Sequence, residues 1–199
     1  MLVVSDPKAL REQGAWTSCA ATVGNFDGVH LGHQALLRRT VEKARELQVP
    51  AVAVTFDPHP VSVLSSSAPK ELCSTAQRLE YMDKLGLDAV LLLPFTRELA
   101  SETSEQFCRR VLLEGLGVRE LFVGYDFRMG SDRAGADVLR KVIPSVSQVQ
   151  AVLKDGAPVS STRIRKALAE GRLDEANSLL GRSFSVQGEV VHGEGRGGP

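Results

Sequence analysis

The sequence predicts an α/β fold, a doubly wound parallel sheet of about five strands with helices on both faces. Short apolar runs that suit buried strands alternate along the chain with longer stretches of helical periodicity. That alternation is typical of parallel sheets with right-handed crossover connections. Two strand-to-helix joints are rich in glycine and polar residues, and such joints at the carboxyl ends of strands are where this class of sheet binds ligands.

Whole-chain totals narrow the classes of function. The 199 residues suit one main domain with a small appendage. Lys plus Arg number 24 and Asp plus Glu number 24, so the formal net charge is zero and we expect no nucleic-acid or membrane partner. The three cysteines have no paired spacing, which predicts a reducing, cytoplasmic setting. Because the first residues carry no basic segment followed by a long apolar run, we expect neither a signal peptide nor a membrane span there.

In the first half of the chain, apolar runs and helix signals predict the elements. Asp6 and Pro7 can start a helix, Pro50 ends the long amphipathic helix, and Ser74 and Gln77 have the spacing of a capping box. In chain order the predicted elements are an edge strand at 2–4, a helix to residue 11, a central strand at 19–23, a helix at 35–47, a buried strand at 51–56 and a helix from 74 to 85.

The second half follows the same alternation. Thr103 and Gln106 can cap another helix, and Gly171 ends a later one. The predicted elements are strands at 89–95 and 120–124, separated by the helix that residues 103–106 cap, then a fifth strand at 147–153, a helix beginning near residue 160 and a short helix at 174–180.

The joint at residues 24–34, GNFDGVHLGHQ, is the most informative segment. The amino end of a helix offers unpaired N–H groups and a positive dipole end, and glycine lets a ligand come close to the backbone. His30 and His33 are three residues apart, so both can point toward that end and donate to phosphate oxygens. The segment therefore predicts a phosphate cradle suited to attack on a nucleoside triphosphate.

Two plainer interpretations of these histidines stay open. Lone histidines near a helix start are often surface residues or local caps. A zinc site is the second interpretation because His and Asp cluster here, although this segment alone lacks the three or four ligands that zinc takes.

Residues 55–60, TFDPHP, end the second buried strand in a turn, because two prolines cannot continue a central strand. If the strands are parallel, this turn lies at the same sheet end as the histidines, and Asp57 and His59 can face the same crevice. A rigid turn in which Asp57 bonds local backbone is an equal alternative.

A second polar loop, residues 124–135, follows the strand at 120–124. Asp126 and Arg128 flank the aromatic Phe127, an arrangement that suits a ring with polar edges. The alternative is a turn held by an Asp–Arg pair, which is worth little when exposed.

Residues 159–168 place Ser161 and Thr162 at a helix start, with hydroxyl and N–H groups at its positive end. Arg163 and Arg165 bring two cations within reach of that end, and arginine can bind phosphate through two parallel bonds. Serine caps and surface arginines are common, so a structural role stays open here too.

Together these segments resemble the nucleotidyltransferase superfamily, whose HxGH signature matches residues 30–33 and whose S-S/T-x-x-R signature matches residues 161–165. The longer form GNFDGVHLGHQ, with TFDPHP and the loop at 124–135, is similar to the bacterial bifunctional riboflavin kinase/FMN adenylyltransferase family. Met129 stands where that family usually has a second Phe. The resemblance covers residues 18–197.

The resemblance implies a Rossmann-like nucleotidyltransferase that joins FMN and ATP to give FAD and pyrophosphate, with Mg²⁺ neutralising the triphosphate. It implies catalytic roles for His30, His33, Asn25 and Arg165. It implies ATP contacts from Gly24, Phe26, Asp27, Gly32, Ser161, Thr162 and Arg163. It implies FMN contacts from Phe56, Asp57, His59, Asp126, Phe127 and Arg128. No protein ligand of Mg²⁺ is assigned.

The carboxy-terminal residues predict the start of another unit. Residues 184–192 alternate apolar and polar like a β-strand, and residues 188–197 resemble the opening of the family's riboflavin kinase barrel. We therefore expect residues 1–182 to form the FMN adenylyltransferase domain and residues 183–199 to begin a truncated β-barrel domain, with no riboflavin kinase activity from this chain alone.

Three alternative functions remain at this point. One is a nucleotidyltransferase with another acceptor, such as phosphopantetheine, nicotinamide mononucleotide or a cytidylyl substrate. The second is a metal hydrolase that uses His30, His33, Asp57 and His59. The third is a flavin-binding or nucleotide-binding module without catalysis.

Overall fold

The computed structural model describes residues 1–66 and 68–188, which contain a six-stranded parallel sheet. The strands are β1 (Leu2–Val4), β2 (Cys19–Val23), β3 (Ala51–Asp57), β4 (Ala89–Pro94), β5 (Val118–Gly124) and β6 (Ser145–Val149). Their order across the sheet is β1-β4-β3-β2-β5-β6. The predicted α/β class is confirmed, and the edge strand at 2–4 brings the strands of this sheet to six.

Helices cover both faces of the sheet. They are α1 (Pro7–Gly14), α2 (Leu31–Leu47), α3 (Pro60–Leu64), α4 (Thr75–Lys84), α5 (Arg97–Ser101), α6 (Ser104–Phe107), α7 (Ala136–Leu139), α8 (Ser161–Ala169) and α9 (Leu173–Leu180). A π-helical segment, Cys108–Leu116, continues α6, and a short antiparallel hairpin joins β7 (Leu153–Lys154) to β8 (Ala157–Pro158). No helix in residues 1–66 or 68–188 is both long and apolar enough to span a membrane.

The core lies in two layers because side chains alternate between the faces of each strand. In β3, Val52 and Val54 belong to the layer beneath α1 and the π-helical segment, whereas Ala51 and Ala53 face α2. The small alanines on the α2 side allow that long helix to lie close to the sheet. Helices α8 and α9 form a third, smaller cluster with Leu72 and Val159.

The strand order reverses between β2 and β5. The chain moves from β2 through β3 to β4 on one side, and then returns to pair β5 with the opposite edge of β2. The loops that follow β2 and β5 therefore leave the sheet side by side, and such a switch point forms a crevice for ligands.

The structure corrects the predicted fifth strand. It covers Ser145–Val149 rather than residues 147–153, because Val149 pairs with Gly124, the last residue of β5, and no ladder partner lies beyond it. Leu153 belongs instead to the hairpin. The predicted strand at 184–192 is absent from residues 184–188, which have no regular structure, and its remaining residues lie outside the described part of the chain.

Candidate active site

The turn between β2 and α2 has an unusual backbone. Phe26, Gly28 and Val29 all have positive φ angles, of 52°, 77° and 39°. The left-handed region is unfavourable for a β-branched residue such as Val29, so surrounding contacts must hold it there. At Gly28 the positive φ favours glycine, and a Cβ atom there would also crowd the Leu72 side chain, lying 2.9 Å from its Cδ1. Backbone strain of this kind clusters in ligand-binding loops.

His30 begins helix α2 as its N-cap residue. Its Nδ1 accepts a hydrogen bond from the backbone N–H of His33, at 3.2 Å. Because Nδ1 accepts, the proton of the neutral ring lies on Nε2, which is left as a donor. The His30 ring is buried and stacks on the His33 ring with 3.6 Å between centroids. A Cβ on Gly32 would lie 3.1 Å from Cε1 of His30, so glycine leaves room for this stack.

Both imidazoles are neutral at pH 7 in the free protein. Burial is the main cause that lowers the pKa of His30 to about 4, and the nearby cations of Arg182 and Arg165 contribute in the same direction. Burial, and secondly His30, lowers the pKa of His33 well below its ordinary value. Among the described residues Nδ1 of His33 has no hydrogen-bond partner, so a proton there would create an unpaired buried charge. A bound anion would raise both pKa values.

Asp27 joins this turn to the start of α8. Its Oδ1 accepts the backbone N–H of Leu72 at 2.8 Å, and its Oδ2 lies 2.5 Å from Nη2 of Arg165. Its backbone carbonyl accepts the Ser161 hydroxyl at 3.0 Å. The amino ends of α2 and α8 are thus brought together around one buried carboxylate, and each can bind an anion.

The guanidinium of Arg165 is already partly engaged. Besides its pair with Asp27, its Nε donates to the carbonyl of Lys70 at 2.8 Å. These contacts use two of the five N–H donors of an arginine, which orients the fork while other donors can bind phosphate.

A cavity of about 220 Å³ opens beside the histidines, at the carboxyl end of β5. Its lining includes His30, Gly32, His33, Tyr125, Asp126 and Ser161. Tyr125 is exposed and belongs to the loop that follows β5.

A second cavity, of about 280 Å³, is lined by Asn25 and by aromatic and apolar side chains. The Phe56 ring meets Phe95 edge-on at 5.5 Å and lies 6.3 Å from Phe107. Met129 and Arg128 also line it. This aromatic cavity suits a flat ring with polar edges. Asn25 and His30 lie on the same turn, so this turn contributes a residue to each cavity.

The loop after β5 serves both cavities rather than one. Asp126 lies in the cavity of the histidines, Arg128 lines the aromatic cavity, and Phe127 packs against the core. Arg128 donates to the carbonyl of Phe127 at 2.7 Å. The three residues expected to contact one flavin therefore face different surroundings.

Arg163 does not extend toward the cleft as expected. Its Nη1 donates to the carbonyl of Lys154 at 2.7 Å and its Nε lies 3.2 Å from Glu175, so it ties the β7–β8 hairpin to α9. Thr162 is exposed on the first turn of α8. Of the group predicted at this helix start, Ser161 and Arg165 are the residues that contact the turn after β2.

The TFDPHP turn contributes Phe56 to the aromatic cavity. Asp57 is exposed and accepts the Thr75 hydroxyl at 2.9 Å, which is a contact to α4 rather than to local backbone. His59 is buried, caps α3 by accepting the Val61 N–H at 3.2 Å, and has its pKa lowered chiefly by burial.

Gly24 and Phe26 support the turn from beneath. The Phe26 ring is buried and meets the edge of His33 at 5.4 Å. A Cβ on Gly24 would lie 3.1 Å from Cζ of that ring, so glycine allows the packing. Phe26 therefore supports the turn by packing, and it lines neither cavity.

Sequence reasoning missed the long-range supports of the site. Arg78, on α4, is buried and donates to the carbonyls of Asn25 and Phe56, both at 2.9 Å. Phe95 and Phe107 complete the aromatic cavity. These residues stand in no motif, and only the folded sheet brings them to the turn after β2, so no local signal could have found them.

Within residues 1–66 and 68–188 no group of three or more His, Cys, Asp or Glu side chains could hold a metal ion. The metal hydrolase alternative, which needs such a group, finds no support among these residues.

The chain is similar to proteins of flavin metabolism. A family model described as FAD synthetase matches residues 12–163. The bifunctional riboflavin kinase/FMN adenylyltransferase of Pseudomonas fluorescens is 42% identical over 181 residues, which cover 88% of this chain and 58% of the relative. The enzyme of the same description from Escherichia coli K12 is 37% identical over 188 residues, covering 92% and 60%. The chain thus spans about three fifths of the length of these curated relatives.

Solved structures agree on the fold. A protein from Streptococcus pneumoniae, described as a macrolide-efflux protein, is 30% identical with a TM-score of 0.86, and the match covers 98% of this chain and 65% of that one. Pantothenate synthetase from Thermus thermophilus is 17% identical with a TM-score of 0.54, covering 91% and 81%. This last likeness shows a shared fold alone.

Proposed function

The chain belongs to the FAD synthetase family, and we propose on that basis that it transfers the adenylyl group of ATP to FMN, forming FAD and pyrophosphate. The observation that carries the proposal is the pair of cavities on either side of the turn after β2. One is lined by imidazoles and by the start of α8, as a triphosphate requires, and the other is lined by aromatic rings, as a flavin requires.

The reaction needs positioning more than proton transfer. A phosphate oxygen of FMN bonds to the α-phosphorus of ATP, the bond from that phosphorus to the bridging oxygen breaks, and pyrophosphate leaves with the electron pair. A phosphate monoester is mostly doubly ionised at pH 7, so the attack requires no general base. His30 and His33 donate N–H groups to the phosphates as charge moves onto the leaving group.

Other residues take the roles that their surroundings support. Asn25 faces the aromatic cavity from the shared turn, so it is placed for the phosphate of FMN. Ser161 and Arg165 hold the outer phosphates of ATP, and Asp27 fixes both of them. Gly24, Phe26 and Gly32 shape the turn by backbone and close packing, and Arg163 supports α8 from outside the cleft.

The flavin contacts are divided in the same way. Phe56 and Arg128 line the aromatic cavity and are proposed to contact FMN. Asp126 is proposed for the nucleotide side, while Asp57, His59 and Phe127 hold the loops that form the cavities.

Mg²⁺ belongs to the proposal as a companion of ATP. The described residues offer no cluster that would hold the ion by protein ligands alone, so no step is assigned to a protein-bound metal. An ion carried by triphosphate oxygens and water needs few protein contacts.

The domain assignment is also a proposal. Residues 1–182 are assigned to the adenylyltransferase domain, and residues 183–199 to the start of a riboflavin kinase unit, the second activity in the names of the curated relatives. The three cysteines are free and buried, which supports a reducing, cytoplasmic setting.

Pyrophosphate release and flavin chromatography test the function directly. With ATP, Mg²⁺ and FMN the chain should form FAD and pyrophosphate in equal amounts. Pyrophosphate with phosphopantetheine or nicotinamide mononucleotide, but not with FMN, would identify another acceptor. Flavin binding without pyrophosphate release would leave a binding module.

A further inference from the structure

We propose that Arg182 is a positioning residue of the nucleotide site, which fixes the strained Gly28–Val29 turn and, through it, the His30–His33 pair. This inference rests on the proposed function and deepens it. Arg182 follows α9 and lies outside the segment that matches the family model.

The guanidinium of Arg182 binds the turn through backbone carbonyls. Its Nη2 donates to Gly28 O at 2.6 Å, and its Nη1 donates to Val29 O at 3.2 Å and to Leu180 O at 3.4 Å. Gly28 and Val29 are the residues with φ angles of 77° and 39°, directly before His30. A strained turn persists only where its surroundings hold it, and a planar fork that spans two consecutive carbonyls does so.

Gln34 completes the same joint from helix α2. Its Nε2 donates to Val29 O at 3.0 Å and to Leu180 O at 2.8 Å. The end of α9 is thereby fastened to the first turn of α2, where Gly181 packs so closely that a Cβ atom would lie 2.5 Å from Cδ2 of Leu31. Gln34 and Arg182 therefore share the carbonyls of Val29 and Leu180, and Arg182 alone of the two also binds Gly28 O.

Tyr81 holds Arg182 in place. The guanidinium carbon lies 3.7 Å from the centroid of the Tyr81 ring, and Nε of Arg182 is buried without a hydrogen-bond partner among the described residues. The Tyr81 hydroxyl contacts the Ser185 hydroxyl at 3.3 Å. The stacking and the partial burial fix the plane of the guanidinium, and a lysine, which has no planar fork, could not reproduce this geometry.

Turnover of three variants tests the proposal. Arg182→Ala should lower kcat for FAD formation about 100-fold with little change in the KM for ATP, because misplacing donors by about 1 Å has effects of that size. Arg182→Lys keeps the charge but not the fork, and should lose about tenfold or more. The matched control is Arg39→Ala, which removes an exposed arginine paired with Glu42 on α2 and should behave as wild type.

The imidazole titration of His30, followed by NMR, separates positioning from general stability. Arg182→Ala should raise the pKa of His30, because a nearby cation is lost and the ring gains water; Arg165 is the other cation that faces this ring. Arg182→Lys should raise it less. If Arg182→Ala fails to fold, Arg182→Lys and Tyr81→Ala carry the test. Like Arg182→Ala, Tyr81→Ala should lower kcat and raise the pKa of His30.

Two results would overturn the proposal. One is wild-type kcat in Arg182→Lys and Tyr81→Ala. The other is lost turnover with an unchanged His30 titration, which would indicate a stability effect only. A wild-type chain that forms no FAD would instead count against the proposed function, while the His30 titration would still decide whether Arg182 fixes the turn.

Discussion

At the scale of single residues, the site depends on two imidazoles that are kept neutral. The N-cap bond from His33 N–H to His30 Nδ1 fixes the proton of His30 on Nε2, and burial keeps a second proton away. Neutral N–H donors can bind a triphosphate, and the anion then favours a positive charge where the transition state needs it.

The pH dependence of the free energy of unfolding should reveal that the His30 ring is buried in its neutral form. The folded pKa of His30, about 4, lies below the ordinary 6.5, so the unfolded chain binds the proton more tightly. The contribution of His30 to the free energy of unfolding is thus fully present above about pH 6.5. It is lost as the pH falls through 6.5 toward 4, and the full loss is roughly 3 kcal/mol. Urea unfolding at about pH 7 and about pH 4.5 measures it. His30→Asn, which keeps a cap acceptor without a titrating ring, should show a smaller loss; equal losses in both proteins would exclude His30 as the source.

Donor loss should slow the proposed reaction. His33→Ala and His30→Ala should each lower kcat for FAD formation at least about tenfold, as loss of a transition-state donor does. His30→Asn serves as the matched variant, because it retains a cap for α2 but not the Nε2 donor. If His30→Asn turns over like wild type, the role of His30 is to cap the helix and the donor assignment is wrong.

At the scale of elements, the buried Asp27 carboxylate couples the starts of α2 and α8. Asp27→Asn keeps an acceptor for the Leu72 N–H but turns an amide toward Arg165, so the free energy of unfolding should fall by about 2 kcal/mol. The KM for ATP should rise, because Arg165 loses the carboxylate that orients its guanidinium, while the bond from the Ser161 hydroxyl to the backbone carbonyl of residue 27 is kept.

The control for this change is Asp88→Asn. Asp88 also pairs with an arginine, Arg45, but at the amino ends of the strands and with both side chains more exposed. Asp88→Asn should lower the free energy of unfolding by less than about 1 kcal/mol and leave the KM for ATP unchanged. Equal effects of the two substitutions on the KM would contradict the coupling of α2 to α8.

Local sequence signals predicted most helices and strands, whereas the ends of strands depend on the neighbouring strands with which they pair. The capping boxes at Ser74 and Thr103 are present because each uses atoms within four residues. The predicted end of β6 was wrong because that end depends on where its partner β5 stops. The alternation of apolar and polar side chains in residues 147–153 carries no information about β5.

At the scale of the whole molecule, the doubly wound sheet places the candidate site at its switch point. The turn that carries His30 and His33 was predictable because its residues are contiguous in the sequence. The start of α8 was predictable as a second part of the site because residues 161–165 form a motif of their own. Of the residues that line the aromatic cavity, Asn25, Phe56 and Arg128 stand in segments that the sequence singled out. Phe95 and Phe107 could not be predicted, because one follows β4 and the other ends α6, and the strand order brings both to the cavity. The split of Asp126 from Arg128 likewise depends on the path of one loop around the strand ends.

The two cavities together define the central claim, which is adenylyl transfer to a phosphorylated flavin. The most direct measurement incubates the purified chain with ATP and Mg²⁺, with FMN in one reaction and riboflavin in another, and resolves the flavins by chromatography. FMN should give FAD with one pyrophosphate per FAD, and riboflavin should give no dinucleotide because it lacks the attacking phosphate. FMN that remains unchanged while ATP is bound would contradict the claim.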